Sequence, residues 1–322
     1  MGAWEDTVAQ DVRANVPRVI ADEVLAPQYE PYSGAANVKI VTPTYPTWLN
    51  KFDQSRRVPL KESVKSFRKW RSDYNDEMKK LLDQIAYYDT GTALLTAITD
   101  TKWIMYIRPY TIYGKAGPID ASAAALGKKG SGDIAATLRG EATAMPHYDT
   151  EGHLQPGAGL GTGTNTAVDI TPSLLTSEAG RKMFSGPGSK VDEALFHEMV
   201  HASRLMGGVA YRLPVSQGYT NEEEYLAVVM TNVYMSEKGQ TRFRGRHARP
   251  NIELPEPEKF LDNYQRISMS PIVLIERFRL NTPKFYRDYS QIPANSAAFN
   301  PFREFRERKK AGTLNFNFQL RG

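Results

Sequence analysis

The chain has 322 residues, a net charge of +5, 41 % hydrophobic and 24 % charged residues, an ordinary balance for a globular protein able to bury its own core. It contains no cysteine, which excludes disulfides, iron–sulfur clusters, cysteine nucleophiles and thiolate-ligated zinc. No apolar run approaches the roughly 18 residues of a membrane span, and the acidic opening MGAWEDTVAQ lacks the apolar stretch of a secretory signal peptide. Any export is therefore expected by another route.

Residues 1–58 are rich in Pro, Ala and Tyr and read as an irregular N-terminal extension, with one helix near 5–24 and a strand at 37–42 (NVKIVT). The stretch 59–87 reads as a helix, because Leu60, Val64, Phe67, Trp70, Tyr74, Met78, Leu81, Leu82 and Ile85 recur at spacings of three and four. Asp89-Thr90-Gly91 reads as a turn, 92–99 as a helix and 103–108 (WIMYIR) as a strand closed by Pro109. Residues 114–164 are glycine-rich and read as loop. GKKGSG at 127–132 and GAGLGTG at 157–163 match neither the phosphate-loop nor the dinucleotide pattern. His147 and His153 fall in this stretch and read as loop residues.

A short strand at 167–171 (AVDIT) and a helix at 190–206 follow. Gly207-Gly208 ends that helix, as glycine commonly does. A further helix covers 221–236. Asn221 is a good N-cap, and Glu222, Glu223 and Glu224 fill a first turn that favours negative charge. Residues 241–322 hold 16 Lys and Arg, 8 Asp and Glu, and 9 of the 13 Phe. They read as a basic, aromatic C-terminal extension whose Phe pack on the main domain, in preference to stacking on single-stranded nucleic acid.

The helix at 190–206 carries His197-Glu198-Met199-Val200-His201. Histidines at i and i+4 share a helix face and can reach one metal ion, with the intervening Glu beside them as a general base. Zinc, Zn2+, needs a third protein ligand and an open fourth position. A third His six residues past the second is excluded, since Gly207 stands there. A Glu of the next helix remains. Glu224 has the small neighbours Ala227 and Thr231 on its face, which lets two helices approach. Glu223 has Leu226 and Met230 there and is the alternative. The glutamates not used as ligand are expected in solvent. The donor that stabilises an oxyanion is Tyr211, Tyr219, Tyr234 or His247, and the sequence does not choose among them.

The segment Thr90–Glu237 resembles the NleD-like family of bacterial effector zinc metallopeptidases and its relatives among type VI secretion toxins. Three features carry the resemblance: the TGTALLTAI helix with its strand ending at Pro109, the VDITP strand before HEMVHA, and NEEEYLAVVMTNVY with a Glu followed by Ala three positions on. The spacing in the third again favours Glu224. FNPF near the C-terminus also resembles type VI effector chain ends. The resemblance implies an α+β, zincin-like metallopeptidase fold with a small mixed sheet; with the element reading above, the domain is placed at 59–240, between extensions at 1–58 and 241–322 that fall outside the resemblance. It further implies zinc-dependent endopeptidase activity in a target cell, with zinc held by His197, His201 and Glu224. Glu198 would be the base, and a peptide would lie along the strand 167–171 as a sheet edge. The expected partners are a protein or peptide substrate, a cognate immunity protein and a component of a secretion apparatus, with no membrane span.

Overall fold

In the computed structural model, the described residues are 3–52, 58–113, 121–127, 163–183, 185–210, 215, 218–247, 252–262 and 271–314. Among the described residues, five strands make one mixed sheet in the order β1 (Gln28–Tyr32), β2 (Ala35–Thr42), β3 (Met105–Arg108), β5 (Asn165–Asp169), β4 (Ser122–Gly127). β2, β3 and β5 run parallel, while β1 and β4 flank them antiparallel. The inner strands carry the residues that bury best on both faces of a sheet: Val38, Ile40, Met105, Ile107, Ala167 and Val168 are all inaccessible. The protein is thus α+β with a small mixed sheet.

Two expectations about this sheet are corrected. The segment 1–58 is not an irregular extension, because it contributes β1 and β2, and β2 pairs with β3 inside the sheet. The single N-terminal helix is two, Ala3–Asn15 and Arg18–Leu25, since Pro17 lacks the N–H that a continuous helix would need. The strand expected at 167–171 is not an edge either. β5 lies between β3 and β4, and among the described residues the edge is β4, within a stretch read as loop. Its sequence SAAALG has none of the β-branched or aromatic residues that signal a strand.

The long helix Leu60–Ala86 crosses the molecule. Tyr74, Met78, Leu82 and Ile85 join the main core, whereas Val64 and Phe67 join a second cluster with Val12, Tyr45 and Trp48. Buried Arg71 ties the N-terminal segment to this helix by donating to the carbonyls of Glu23, Ala26 and Pro43. The next helix spans Asp89–Thr99, so the expected turn at 89–91 is its first turn. A Cβ at Gly91 would stand 1.8 Å from the carbonyl oxygen of Ile85, and only glycine permits that approach.

The C-terminal region forms helices Pro271–Asn281, Pro283–Gln291 and Pro301–Lys310, each opening on the residue that costs least at a first helical position. Phe243, Phe260, Phe278, Phe285, Phe299, Phe302 and Phe305 are buried in the same core as the helix bearing HEMVH. Arg303 donates to the carbonyls of Ile292 and Ala297, and Arg308 pairs with Asp262 and Glu304. Among the described residues, no helix is long and apolar enough to cross a membrane.

Candidate metal centre

Two helices build the site. The histidine helix runs Val191–Met206 and the glutamate helix Glu222–Glu237. The glutamate helix starts where the sequence places it. The Asn221 side chain accepts from the Glu224 backbone N–H at 3.1 Å, which satisfies one of the free N–H groups of a first turn. The pair runs antiparallel. Asp192 at the start of one helix meets Tyr234 and Lys238 at the end of the other, and His201 and Arg204 meet Glu224 and Glu223.

At that second end four polar side chains converge. His197 Nε2 lies 3.3 Å and His201 Nε2 3.1 Å from Oε2 of Glu224, and the two imidazole Nε2 atoms are 3.2 Å apart. The His197 and His201 rings stand nearly perpendicular. His247 comes from outside the two helices, and its Nε2 lies 3.1 Å from the same Oε2 of Glu224.

These distances can be set against a metal. Zinc binds imidazole nitrogen and carboxylate oxygen at about 2.0–2.1 Å in a tetrahedron, so its ligand atoms stand about 3.3 Å from one another. The three separations among His197, His201 and Glu224 match that edge. Hydrogen bonding alone fits less well. Three imidazole nitrogens crowd one carboxylate oxygen that offers two lone pairs.

Electrostatics sets the two helix histidines apart. Burial pushes the pKa of His197 down, aided by His201 and Arg244 against the contact with Glu224, so His197 is neutral, the form a ligand must take. Burial also acts to lower His201, but the contact with Glu224, helped by the charges of Glu198 and Glu223, outweighs it and raises the net value. For Glu224 burial favours the neutral acid, yet the two histidine contacts hold it ionised. One feature departs from a usual metal-binding histidine, whose second ring nitrogen donates to an oxygen. His197 Nδ1 is buried and has no hydrogen-bond partner among the described residues. Glu198 is partly exposed, on the helix beside this cluster.

The other two glutamates of the first turn are not in solvent, contrary to expectation. Glu223 receives a bidentate pair from the buried Arg204 guanidinium, at 2.8–2.9 Å. Glu222, with its side chain 1 % exposed, faces Arg277 at 3.4 Å. A signal for this was present: LAVVMTNVYM is apolar around most of the helix, and a helix apolar all round is buried. Successive residues then point about 100° apart into three different buried surroundings, and only Glu224 meets histidine.

The oxyanion candidates separate. Tyr234 is fully buried, stacks on Phe196 and donates to Asp192 at 2.8 Å, so it faces the opposite end of the helix pair. Tyr219 is buried edge-on to Tyr225. Its neighbour Gly218 accepts from the His247 backbone N–H. Tyr211, like His147 and His153, lies outside the described residues. His247 joins the cluster, and no local pattern in RGRHAR announces it. What brings it there is a pinned segment. Asn232 of the glutamate helix bonds both the N–H and the carbonyl of Arg244, and the Arg244 side chain holds the carbonyls of Arg246 and His247.

No protein-family model, curated protein or solved structure matches this chain.

Proposed function

We propose that this chain is a zinc-dependent endopeptidase of zincin-like build, acting as a translocated effector on a protein of a target cell. One observation carries the reading: His197 Nε2, His201 Nε2 and Glu224 Oε2 stand 3.1–3.3 Å from one another, as three corners of a tetrahedral site do. Two nitrogens and one carboxylate oxygen suit a divalent ion of the zinc type. When bound, such an ion supplies Lewis-acid chemistry, making water nucleophilic near neutral pH and polarising a carbonyl.

The chain's own residues do the rest. Glu198 is beside the ligands and partly exposed, so it takes the proton of the attacking water and returns it to the departing amine. β4 packs along the histidine helix and pairs on one side with β5. Its outer edge is where an extended peptide adds as a strand, replacing β5 in that role. Delivery into a target cell, an immunity protein and a secretion-apparatus partner rest on the resemblance of Thr90–Glu237 and FNPF alone.

Elemental analysis of the purified protein tests the centre. One zinc per chain is expected, with strong loss in His197→Ala and His201→Ala. Glu198→Gln should keep the zinc and stop hydrolysis, followed by labelling new N-termini in a target proteome. A wild-type chain that takes up no divalent ion after dialysis against zinc refutes the reading. Growth arrest on expression in bacteria, abolished by Glu198→Gln, tests the effector part.

A further inference from the structure

We propose that His247 is a fourth protein ligand, so that three imidazoles and one carboxylate close the resting centre and a substrate reaches the ion by displacing His247. This rests on the metal reading above and adds to it. In a tetrahedral site two ligand atoms stand about 3.3 Å apart, which the contact of His247 with Glu224 meets. His247 Nε2 is 3.1 Å from Glu224 Oε2, and a ring nitrogen of His247 lies within 4.8 Å of one of His197. The His247 and His197 rings are nearly parallel, 7° apart in plane with centroids 5.8 Å apart. A side chain that only stabilises an oxyanion stands off the ligands, leaving room for water and a carbonyl. His247 instead touches a ligand atom.

The segment that carries it is built to hold that position. Besides the bonds from Asn232 and Arg244, the His247 N–H donates to Gly218 at 2.7 Å, and the backbone of Gly245 donates to Ile252. A Cβ at Gly245 would stand 2.9 Å from the carbonyl oxygen of Glu253, so the close approach of these two segments, bridged at Arg244 and Glu253, requires glycine there. The His247 side chain is nevertheless 35 % exposed, against 6 % for His197 and 13 % for His201. It is the imidazole an incoming group can push aside, whereas the two on the helix are fixed. A centre with four protein ligands is closed to substrate, and a catalytic one keeps a position open. Displacement of His247 converts the one to the other.

Cobalt in place of zinc is the probe. In the cobalt-loaded wild-type chain, each ligand histidine gives one exchangeable, paramagnetically shifted ring N–H resonance. Signals from His197, His201 and His247 are expected, and signals from only the two helix histidines would overturn the proposal. His247→Ala should keep one cobalt per chain, bind it more than about 100-fold more weakly, beyond the cost of losing an outer-shell partner, and change the visible spectrum as solvent enters. Added imidazole should restore the wild-type spectrum. Unchanged affinity and spectrum in His247→Ala would refute the fourth ligand and leave the three-residue centre standing. A wild-type chain that binds no cobalt refutes both. Should His247→Ala not fold, the resonances of the wild-type chain decide.

Discussion

The two ends of the histidine–glutamate helix pair use the same kinds of residue to opposite effect. At one end Asp192 and Glu193 meet Lys238, with the Tyr234 hydroxyl and the Gln240 amide completing the set. Each buried acid there has a cation or donor pointed at it. At the other end the ionised carboxylate of Glu224 faces three imidazole nitrogens, more nitrogen atoms than its oxygen can accept from. The first end is saturated and holds the helices together. The second crowds three imidazoles onto one carboxylate oxygen, and the proposed metal reading rests on that imbalance. Buried polar clusters thus divide by whether their donors and acceptors balance, since an unpaired buried group is costly unless something else binds it.

The largest effect should come from breaking the crowded end at its centre. Glu224→Gln removes the carboxylate that all three histidines approach. Zinc affinity should fall by more than about 100-fold, beyond the cost of outer-sphere changes, read by competition with a chelator. Lys238→Gln should leave zinc binding unchanged.

Next in size is the loss of one partner from a buried ion pair, which costs about 3–5 kcal/mol. Arg204→Met takes the cation from Glu223, and Lys238→Met takes it from Asp192 and Glu193, so both should lower the urea midpoint by comparable amounts. The two should differ in metal affinity. Arg204→Met should weaken zinc binding, because Glu223 adjoins Glu224 in the same first turn, and Lys238→Met should not. Equal zinc affinity in both variants would show that the Arg204–Glu223 pair does not position the ligand.

Glu222→Gln is a finer test of the corrected burial. An exposed first-turn glutamate would lose under about 1 kcal/mol. A buried one facing Arg277 should lose about 1–3 kcal/mol, measured by chemical denaturation.

The smallest effect concerns the join between the pair and the rest of the core. The Glu237 carboxylate accepts from the backbone N–H groups of Asp89 and Thr90 and from the Thr90 hydroxyl, serving as a cap from another helix. Glu237→Gln should cost about 1 kcal/mol without altering metal content. A loss of metal there would mean that the cap, too, sets the geometry of the site.

Much of this was legible locally. The i, i+4 spacing of His197 and His201 puts both on one helix face wherever that helix lies. Asn221 begins its helix because its side chain competes for the first N–H groups, and the apolar spacing from Leu60 to Ile85 marks a long buried stripe. β4 was not legible, because SAAALG acquires its strand conformation from pairing with β5 rather than from its own side chains. Nor was membership of β2 in the central sheet, since NVKIVT reads as a strand in any setting and does not name its neighbours.

The sequence by itself determined that a helix would present two histidines with a glutamate between them, and that three glutamates would open the helix after it. Only the tertiary structure decided which glutamate turns to the histidines, that Arg204 and Arg277 take the other two, and that His247 arrives from a distant segment. The reason is physical. Periodicity fixes directions around one helix axis, but the rotation of one helix against another is set by packing over the whole interface. Contacts between residues far apart in the chain depend on that packing and on the hydrogen bonds of Asn232 and Arg244 that hold the intervening segment.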